Sequence, residues 1–318
     1  MPDVSVVIPT HNRRRLLGQA LQSAMRQRGV EVEVVVVDDG STDGTADVVA
    51  AVRDERVRLL RHERPLGMAA ARNGGAAAAR GAWVAFLDDD DLWAPDKLTR
   101  QLQAAADAAA GWAYAGAVEI DTAGRLLGGH PPPSPEDLLG GLRRRNLMPA
   151  GSSNVAVRAG MLAAAGGFDP ALRHMSDWDL WLRLTRLGRP ACAPAPLIAY
   201  RLHQGQTTLD TAGMLADART LEARHGANRT AVVRWAAWSH LRAGRRRAAL
   251  RAYADAFLAG DVTSVARAAV ALLHPRPTAA RRPRRQATTD PAWAAAAQPW
   301  LDELAATFPS RGPRNDHG

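Results

Sequence analysis

Short apolar runs alternate with amphipathic segments along the first ninety or so residues. Four of these runs have the length and composition of buried strands: residues 4–8, 32–37, 57–60 and 83–87. The segments between them carry apolar residues at helical spacing, as Leu17, Leu21 and Ala24 do in the first segment. Alternating strands and helices are typical of a parallel sheet covered by helices. The pattern therefore predicts one half of a doubly wound α/β fold.

The following residues predict strands that run in both directions. Residues 113–120, 152–157 and 197–200 suit strands, and residues 121–124 suit the turn of a hairpin. A helix with apolar periodicity begins at Ser176. Because a hairpin joins antiparallel strands, we expect a mixed, mostly parallel α/β sheet flanked by helices.

The character of the chain changes towards its C-terminus. We expect a first domain over residues 1–220, with one half at about 1–110 and the other at about 111–220. Arginine-rich segments with helical spacing predict a helical accessory region over residues 221–275. Residues 276–318 are rich in Pro, Arg and Ala, which predicts a largely disordered tail. Trp293 and Trp300 mark a candidate docking helix within that tail.

Composition narrows the classes of protein that fit. The 318 residues include 47% hydrophobic and 23% charged residues, which are globular values. The lone Cys192 allows neither an internal disulfide nor a thiolate metal site, so we expect a cytoplasmic protein. No apolar run reaches the roughly 18 residues of a membrane span, and the N-terminus lacks a secretion-signal pattern.

The net charge of +9 comes almost entirely from arginine, since Lys97 is the only lysine. Guanidinium groups suit phosphate-bearing ligands and anionic lipid headgroups, so we expect peripheral contact with an anionic membrane at its cytoplasmic face. The basic tail lacks the interleaved aromatic residues of nucleic-acid-binding proteins, so we expect no nucleic-acid partner.

Four consecutive carboxylates, Asp88 to Asp91, follow the fourth apolar run. Adjacent carboxylates raise each other's pKa, and a divalent ion with oxygen ligands relieves that repulsion. Ligand sites in open α/β sheets lie beyond the carboxyl ends of strands, where these residues fall. The run therefore predicts a metal site. The alternative is that Asp91 caps a helix near Pro95 and that its neighbours are solvated.

Four motifs occur in a recognisable order. They are Pro9-Thr10-His11-Asn12, Asp38-Asp39-Gly40-Ser41 with Asp43-Gly44-Thr45, Asp88-Asp89-Asp90-Asp91-Leu92-Trp93, and Gly167-Phe168-Asp169 leading to Asp177-Trp178-Asp179-Leu180-Trp181. Together they resemble family 2 glycosyltransferases of the GT-A fold over roughly residues 3–205. The resemblance implies an α/β, Rossmann-like GT-A domain, here with a C-terminal helical appendage. Its nucleotide-binding half is expected at about 1–110 and its acceptor half at about 111–220. It also implies transfer of a sugar from a nucleotide-diphosphate donor with inversion at the anomeric carbon.

The resemblance also implies roles for individual residues. Asp88 and Asp90 match the Asp-x-Asp motif that binds Mn²⁺ or Mg²⁺, with Asp90 as the direct ligand, although a run of four acids lets this register slip by one. Asp177 matches the general base. Contacts with the nucleotide sugar are expected from Pro9, Thr10, Asn12, Arg13, Asp38, Asp39, Arg72, Asp88 and Asp89. Among these Asp39 reads the uracil base. Arg201 or His203 is also expected to reach the diphosphate, and the alternative for His203, a lone histidine on a loop, is a structural or solvated role.

Several of these residues have structural alternatives. Arg72 is otherwise an exposed surface arginine, and Asp179 otherwise pairs with an arginine. Trp178 and Trp181 are core residues unless they stack on an acceptor sugar.

The implied reaction is metal-dependent transfer from a UDP-sugar to a glycan or lipid-linked acceptor, as in cell-surface polysaccharide biosynthesis. A sugar nucleotidyltransferase would need a Gly-rich basic loop after the first strand, which Pro9-Thr10-His11-Asn12 does not supply. A non-catalytic nucleotide-sugar-binding module would not need Asp177.

Overall fold

The computed structural model describes residues 1–203, 210–242, 245–258, 261–273 and 290–307. The strands in chain order are β1 Val4–Thr10, β2 Val32–Asp38, β3 Val57–Arg61, β4 Trp83–Phe86, β5 Leu92–Trp93, β6 Trp112–Ile120, β7 Leu126–His130, β8 Ala156–Arg158 and β9 Ala191–Arg201. Within the described residues all nine form one sheet in the order β3-β2-β1-β4-β8-β6-β9-β5, with β7 paired to β6.

Helices flank this sheet and continue beyond it. They are α1 Arg14–Met25, α2 Thr45–Ala50, α3 Met68–Ala77, α4 Lys97–Asp107, α5 Pro135–Gly141, α6 Ala159–Ala165, α7 Ser176–Leu187, α8 Thr211–His225, α9 Thr230–Arg242, α10 Arg246–Leu258, α11 Thr263–Leu273, α12 Pro291–Ala295 and α13 Gln298–Thr307. A 3₁₀ turn spans Gly151–Asn154. No helix in the described part of the chain is long and apolar enough to cross a bilayer.

Strands β1 to β4 pair in parallel, as the alternating pattern predicts. One boundary differs, because β1 continues through Pro9 to Thr10. Successive residues of a parallel strand face alternate neighbours: the oxygen of Val7 accepts from Leu87 N, and that of Thr10 accepts from Asp39 N. The nitrogen of Pro9 therefore points towards β4, beyond the last β1–β4 pair, so the strand continues without losing a ladder hydrogen bond.

The second half of the sheet is mixed, as the hairpin predicts. Strand β6 pairs antiparallel with β7 and β8 and parallel with β9. Strand β9 begins at Ala191, earlier than the predicted residues 197–200. It passes Pro194 and Pro196 where its register against β6 shifts, and such irregularities accommodate proline within a sheet.

Residues 152–157 form a strand only at their end, because the 3₁₀ turn replaces its first part. The amide of Asn154 pairs with both backbone groups of Ala115, donating from Nδ2 to O at 2.8 Å and accepting from N at 2.6 Å. Side chains that bond to backbone in this way compete with a strand ladder. The turn therefore replaces part of the predicted strand and fixes the end of β8 against β6.

The sheet separates two apolar layers. Val6 and Ile8 of β1 pack on one side with Leu17 and Leu21 of α1. The intervening Val7 packs on the other side, in the layer that contains α3 and α7. Alternate residues of a strand point to opposite faces, and both faces of this strand are covered. This accounts for the continuous apolar runs seen in the sequence.

The predicted domain boundary at residue 220 falls inside α8 and is therefore misplaced. Leu221 of α8 is fully buried in the layer that contains α7. Asp217 accepts hydrogen bonds from the backbone N–H groups of His174 and Met175 at 2.7 and 3.1 Å, just before α7. Helix α8 is therefore part of the first domain, and α9, α10 and α11 follow it as helices packed in chain order.

Residues 290–307 do not fit the predicted disordered tail, because they form α12 and α13 against the outer part of the sheet. Trp293 Nε1 donates to Pro194 O at 3.0 Å, and Trp300 Nε1 donates to Pro196 O at 3.1 Å. The ring of Trp293 occupies the space beside Gly116 that a larger residue would fill. Apolar side chains thus outweigh the tail-like composition here. Residues 274–289 and 308–318 lie outside the described residues, and so does the predicted arginine cluster at 281–285.

Candidate functional site

The loop after β1 is held against the loop after β2. Asn12 lies at its tip with a φ of +53°, a left-handed conformation that asparagine tolerates. Its backbone N–H donates to Ser41 Oγ at 2.9 Å, and its Oδ1 accepts from Thr42 N at 2.9 Å. The Arg13 N–H donates to Thr45 Oγ1 at 3.3 Å. These bonds preform the loop that the sequence predicts to wrap a nucleoside.

The carboxylate of Asp39 ties the end of β2 to the loop before α3. It accepts hydrogen bonds from His62 Nδ1 at 2.7 Å and from the N–H groups of Leu66 and Gly67 at 2.8 Å each. Burial alone would raise the pKa of Asp39, but these hydrogen bonds outweigh it and hold the pKa below its ordinary value. An ionised acceptor therefore lies at the predicted base-reading position.

Three of the predicted contact residues lie beneath the loop surface. Pro9 and Thr10 are buried in β1, and Asp38 is fully buried at the end of β2. Asp38 Oδ1 accepts from Ser41 N at 2.9 Å and so stabilises the turn after β2. With no side-chain surface exposed, Asp38 shapes the loop, and its predicted direct contact with the nucleotide does not fit the structure.

The four carboxylates of the acidic run point in different directions. Asp88 pairs with Arg72, whose Nη2 lies 2.6 Å from Asp88 Oδ1. Asp90 Oδ2 lies 2.8 Å from His203 Nε2. Their separation relieves the repulsion that a run of acids would otherwise impose.

Asp91 is fully buried and makes two structural hydrogen bonds. Its Oδ2 accepts from Ser153 Oγ at 2.5 Å, and its Oδ1 accepts from Arg201 N at 3.0 Å. Burial and the neighbouring acids Asp90 and Asp88 raise its pKa well above the ordinary value. The helix-capping alternative for Asp91 is therefore wrong.

Asp89 faces the loop after β1. Burial and the neighbouring Asp90 raise its pKa to about 8, although the Thr10 hydroxyl and the Arg13 guanidinium act in the opposite direction. The acidic run thus meets the predicted nucleoside loop at the carboxyl edge of the sheet.

Arg72 is buried, so the alternative of an exposed surface arginine is wrong. It retains 7% of its accessible surface and lies with its guanidinium carbon 5.2 Å from the centre of the Phe168 ring. The backbone of Phe168 is held by Asn73, the residue after Arg72. Asn73 accepts from the Phe168 N–H and donates to the Phe168 oxygen. The Gly-Phe-Asp motif therefore positions Arg72 for its pair with Asp88.

A divalent ion fits these residues only with help from a ligand. Among the described residues, no group of three His, Cys, Asp or Glu side chains has the geometry of a metal site. Asp90 and His203 form a pair 2.8 Å apart, while Asp88 is engaged by Arg72. An oxygen and a nitrogen ligand leave most of an octahedral shell to diphosphate oxygens and water, which is common for metal ions in nucleotide sites.

Asp177 is the second residue of α7 and lies near Arg72 and Asp88. Burial raises its pKa above the ordinary value, the guanidinium of Arg72 and the N–H of Trp178 lower it in part, and the carboxylate of Asp88 raises it again. Asp177 therefore shares one electrostatic environment with the Arg72–Asp88 pair. A carboxylate with a raised pKa is suited to accept a proton near neutral pH. Gly151 leaves room for it, since a Cβ there would lie 3.1 Å from Asp177 Oδ2.

The rest of the α7 motif is structural. Asp179 is 1% exposed, pairs with Arg183 at 2.6 Å and lies 2.7 Å from His225 Nε2. Trp181 is fully buried, and Trp178 donates from Nε1 to Leu142 O at 2.8 Å. The structural alternatives for these three residues fit the structure, and neither tryptophan is available to stack on an acceptor.

Ser153 and Asn146 are site residues that the sequence did not reveal. Ser153 Oγ accepts from Asp88 N at 3.0 Å as it donates to Asp91, so it connects two members of the acidic run. The Asn146 side chain lies near Asp177 and lowers its pKa. The polar Ser-Ser-Asn sequence after Gly151 was the available signal, since it is better suited to a turn than to a buried strand.

Sequence comparisons find similarity to one protein family and to individual members of it. The profile of the family described as Glycosyl transferase family 2 matches residues 5–164. The succinoglycan biosynthesis protein ExoO of Rhizobium meliloti is 49% identical over 105 residues, which are 33% of this chain and 30% of that protein. WfaP of Escherichia coli, a UDP-Glc:alpha-D-GlcNAc-diphosphoundecaprenol beta-1,3-glucosyltransferase, is 33% identical over 99 residues, or 31% of this chain and 39% of that protein. The matched region thus covers well under half the length of either relative.

Solved structures agree in fold. TarS of S. aureus, residues 1–349 in complex with UDP-GlcNAc, aligns over 83% of both chains with a TM-score of 0.59 at 17% identity. The mannosyltransferase PcManGT from Pyrobaculum calidifontis, in complex with GDP-Man and Mn²⁺, aligns over 96% of this chain and 86% of that chain with a TM-score of 0.57 at 22% identity. The predicted GT-A fold is thereby confirmed. Since the family profile covers residues 5–164 of 318, and with them the nucleoside loop and the acidic run, the chain belongs to glycosyl transferase family 2.

Proposed function

We propose that the chain is a metal-dependent, inverting glycosyltransferase that moves a sugar from a UDP-sugar to a hydroxyl of a lipid-linked or glycan acceptor. The observation that carries the proposal is the convergence of Asp177 with the Arg72–Asp88 pair in one cleft. A base for the acceptor thereby lies next to groups suited to the donor.

The donor half of the proposal rests on the loops after β1 and β2. A preformed loop at Asn12 and an ionised carboxylate at Asp39 suit a nucleoside and its ring N–H. Uracil is favoured because the relative WfaP is named for UDP-Glc and the solved TarS holds UDP-GlcNAc. Arg13 is close to His203 at 3.4 Å, which puts positive charge near the acidic run, where a diphosphate would lie.

In this proposal Asp90 and His203 hold Mn²⁺ or Mg²⁺, and Asp88 remains with Arg72. PcManGT, with a similar fold, was solved with Mn²⁺. When bound, the ion offsets the charge that develops on the diphosphate as the bond to the sugar breaks.

The chain's own residues account for the acceptor's proton. The acceptor hydroxyl is too weak an acid to ionise at neutral pH, so Asp177 takes its proton as the oxygen bonds to the anomeric carbon. The bond from that carbon to the diphosphate oxygen breaks on the opposite face, which inverts the configuration. Arg72 holds Asp88 in place and keeps its own charge near both carboxylates.

The proposal extends to where the chain acts. The acceptor of WfaP is a lipid diphosphate, and a lipid-linked acceptor would bring this chain to the cytoplasmic face of a membrane. Its net charge of +9 favours association with anionic lipids there.

The test uses the full chain with a panel of UDP-sugars and Mn²⁺, and measures released UDP and binding by calorimetry. Wild type should bind one donor and turn it over only with the ion present. Asp177→Asn should bind that donor as wild type does but lose about 10²–10⁴-fold in transfer to a sugar-diphosphate-lipid acceptor. Asp107→Asn, an exposed aspartate at the end of α4, is the matched control and should retain full transfer.

Two results would contradict the proposal. Binding without turnover in wild type would indicate a non-catalytic nucleotide-sugar-binding module. Near-wild-type transfer by Asp177→Asn would show that another group removes the proton.

A further inference from the structure

An exposed run of three arginines, residues 143–145, follows α5. Within the described residues, none of the three side chains makes an ion pair or a side-chain hydrogen bond. Three neighbouring guanidinium groups repel one another, so an anion at this run would be bound favourably. The run has no part in the proposed donor site.

The backbone of the arginine run is fixed although its side chains are free. Leu142, just before the run, is 1% exposed, and its oxygen accepts from Trp178 Nε1 at 2.8 Å. Met148, just after it, is also 1% exposed. The oxygen of Arg143 accepts from Asn228 N at 2.6 Å. A fixed backbone lowers the entropy that ligand binding must overcome.

The arginine run is linked to the proposed base through the residues on either side of it. Trp178, which anchors the run, directly follows Asp177 in α7. Asn146, the residue after the run, lies close enough to the Asp177 side chain to lower its pKa. Arg72 and Asp88, which belong to the proposed site for the sugar donor, lie near the same carboxylate. A ligand on the arginine run would therefore reach Asp177 as an acceptor does.

An open groove of about 670 Å³ adjoins the run and is lined in part by Arg144, Arg145 and Leu147. Glu136 and Asp137 also line it, but each has a partner. Glu136 pairs with Arg189, and Asp137 accepts from Ser134 Oγ at 3.0 Å. The groove is within the size range of ligand sites. With Glu136 paired to Arg189, two arginines face one uncompensated carboxylate, Asp137, so the balance of charge in the groove is positive.

We propose that residues 143–145 bind the phosphate groups of the acceptor, so that the acceptor is a sugar carried on a phosphate or diphosphate. The inference rests on the proposed glycosyl transfer and names the acceptor class of that site. In a sugar phosphate ester the sugar ring separates the reacting hydroxyl from the phosphate. Such an acceptor therefore needs an anion site near the base, and the run is linked to Asp177 through the Trp178–Leu142 hydrogen bond and through Asn146. Guanidinium groups bind phosphate oxygens in a bidentate manner.

The test measures binding of farnesyl diphosphate to the full chain by calorimetry, with UDP and Mn²⁺ saturating so that the donor site is occupied. Farnesol is the matched uncharged probe. Wild type should bind the diphosphate and not farnesol, and inorganic pyrophosphate should compete. R143Q/R144Q/R145Q should weaken binding at least about tenfold, as expected for three exposed charge contacts together, and the loss should shrink at high salt.

The matched control is R219Q/R247Q/R251Q, which removes three exposed arginines from α8 and α10. It lowers the net charge equally but should change the affinity for farnesyl diphosphate less than twofold. Both triple variants should bind UDP as wild type does and unfold at the wild-type temperature. Equal losses in both variants would mean a general charge effect and would overturn the proposal.

A vesicle experiment separates acceptor phosphate from lipid headgroup. Both variants are sedimented with phosphatidylglycerol vesicles and with neutral vesicles. If R143Q/R144Q/R145Q lost vesicle binding while retaining wild-type affinity for farnesyl diphosphate, the run would be a membrane-surface contact and the proposal would be wrong. Failure of the proposed function is distinguishable, because it would appear as absent UDP-sugar turnover in wild type, whatever the diphosphate result.

Discussion

The segment at residues 290–307 gives the most direct test of how the tail supports the site. Leu304 of α13 is 2% exposed and packs in a cluster with Leu92, Val118 and Ala199. Leu92 directly follows the acidic run, and Ala199 precedes Arg201 by two residues in β9. The cluster therefore supports β5, which follows the acidic run, and β9, which leads to Arg201 and His203.

We expect Leu304→Ala to lower the free energy of unfolding by about 2–4 kcal/mol. Removing three buried carbon groups costs about 2.4 kcal/mol at 0.8 kcal/mol each, and the remaining cavity adds to this. For a chain of this size the melting temperature should fall by roughly 3–6 °C. The loss cannot exceed the free energy with which α12 and α13 dock, because beyond that point they detach while the sheet stays folded.

The assay is urea unfolding of the full chain followed by circular dichroism, with affinity for UDP and Mn²⁺ measured in parallel. The matched control is Leu258→Ala, since Leu258 is 80% exposed and its truncation should change stability by less than about 0.5 kcal/mol. Donor affinity of Leu304→Ala should weaken modestly, because the cluster supports the strand after the acidic run. If Leu304→Ala were as stable as Leu258→Ala, the docked arrangement of α13 would be refuted.

Three further variants test single contacts. Lys97 is fully buried with Nζ 3.6 Å from the centre of the Trp93 ring, and burial lowers its pKa well below its ordinary value of 10.5. Below pH 10.5 the unfolded chain protonates this lysine more readily than the folded chain does, so wild-type stability falls as the pH drops. Lys97→Met removes this loss and should be more stable than wild type at pH 7 in urea unfolding. The difference between the two proteins should be smaller at pH 9.5. A stability difference that did not change with pH would contradict that explanation. Ser153→Ala should cost about 1–3 kcal/mol, because it leaves Oδ2 of the buried Asp91 without a donor while Oδ1 keeps the Arg201 N–H, and thermal unfolding measures this. His203→Ala should weaken Mn²⁺-dependent UDP binding about 10–100-fold by calorimetry without changing the melting temperature, whereas equal binding would remove His203 from the metal site.

Local patterns were sufficient for much of the sheet and for the position of the site. Apolar runs predict buried strands because both faces of a parallel sheet are covered, as Val6 and Val7 show on opposite faces of β1. Polar residues after those strands predict a site because parallel strands end at one edge. Asp39 and Asp88 follow this rule. In both cases the strand and the polar residue after it are neighbours in the sequence, so a local pattern is enough to predict them.

Other features depend on which distant residues meet. Asp90 and His203 are 113 positions apart, and only the pairing of β9 with β6 and β5 brings them to 2.8 Å. The sequence likewise could not say which of the four adjacent acids would be buried. Asp91 is buried because Ser153 and the Arg201 N–H supply its hydrogen bonds, and those partners come from remote segments.

In the C-terminal tail, too, distant residues decide the structure, because a segment whose composition predicts disorder is ordered. By composition residues 276–318 resemble a disordered segment, since they are rich in Pro, Arg and Ala. Trp293 and Trp300 nevertheless dock residues 290–307, because the sheet presents the carbonyl oxygens of Pro194 and Pro196 and the open space at Gly116. The two tryptophans mark a candidate docking helix in the sequence. The surface on which it docks is formed by strands more than ninety residues away, and so only the tertiary structure decided where the segment is held.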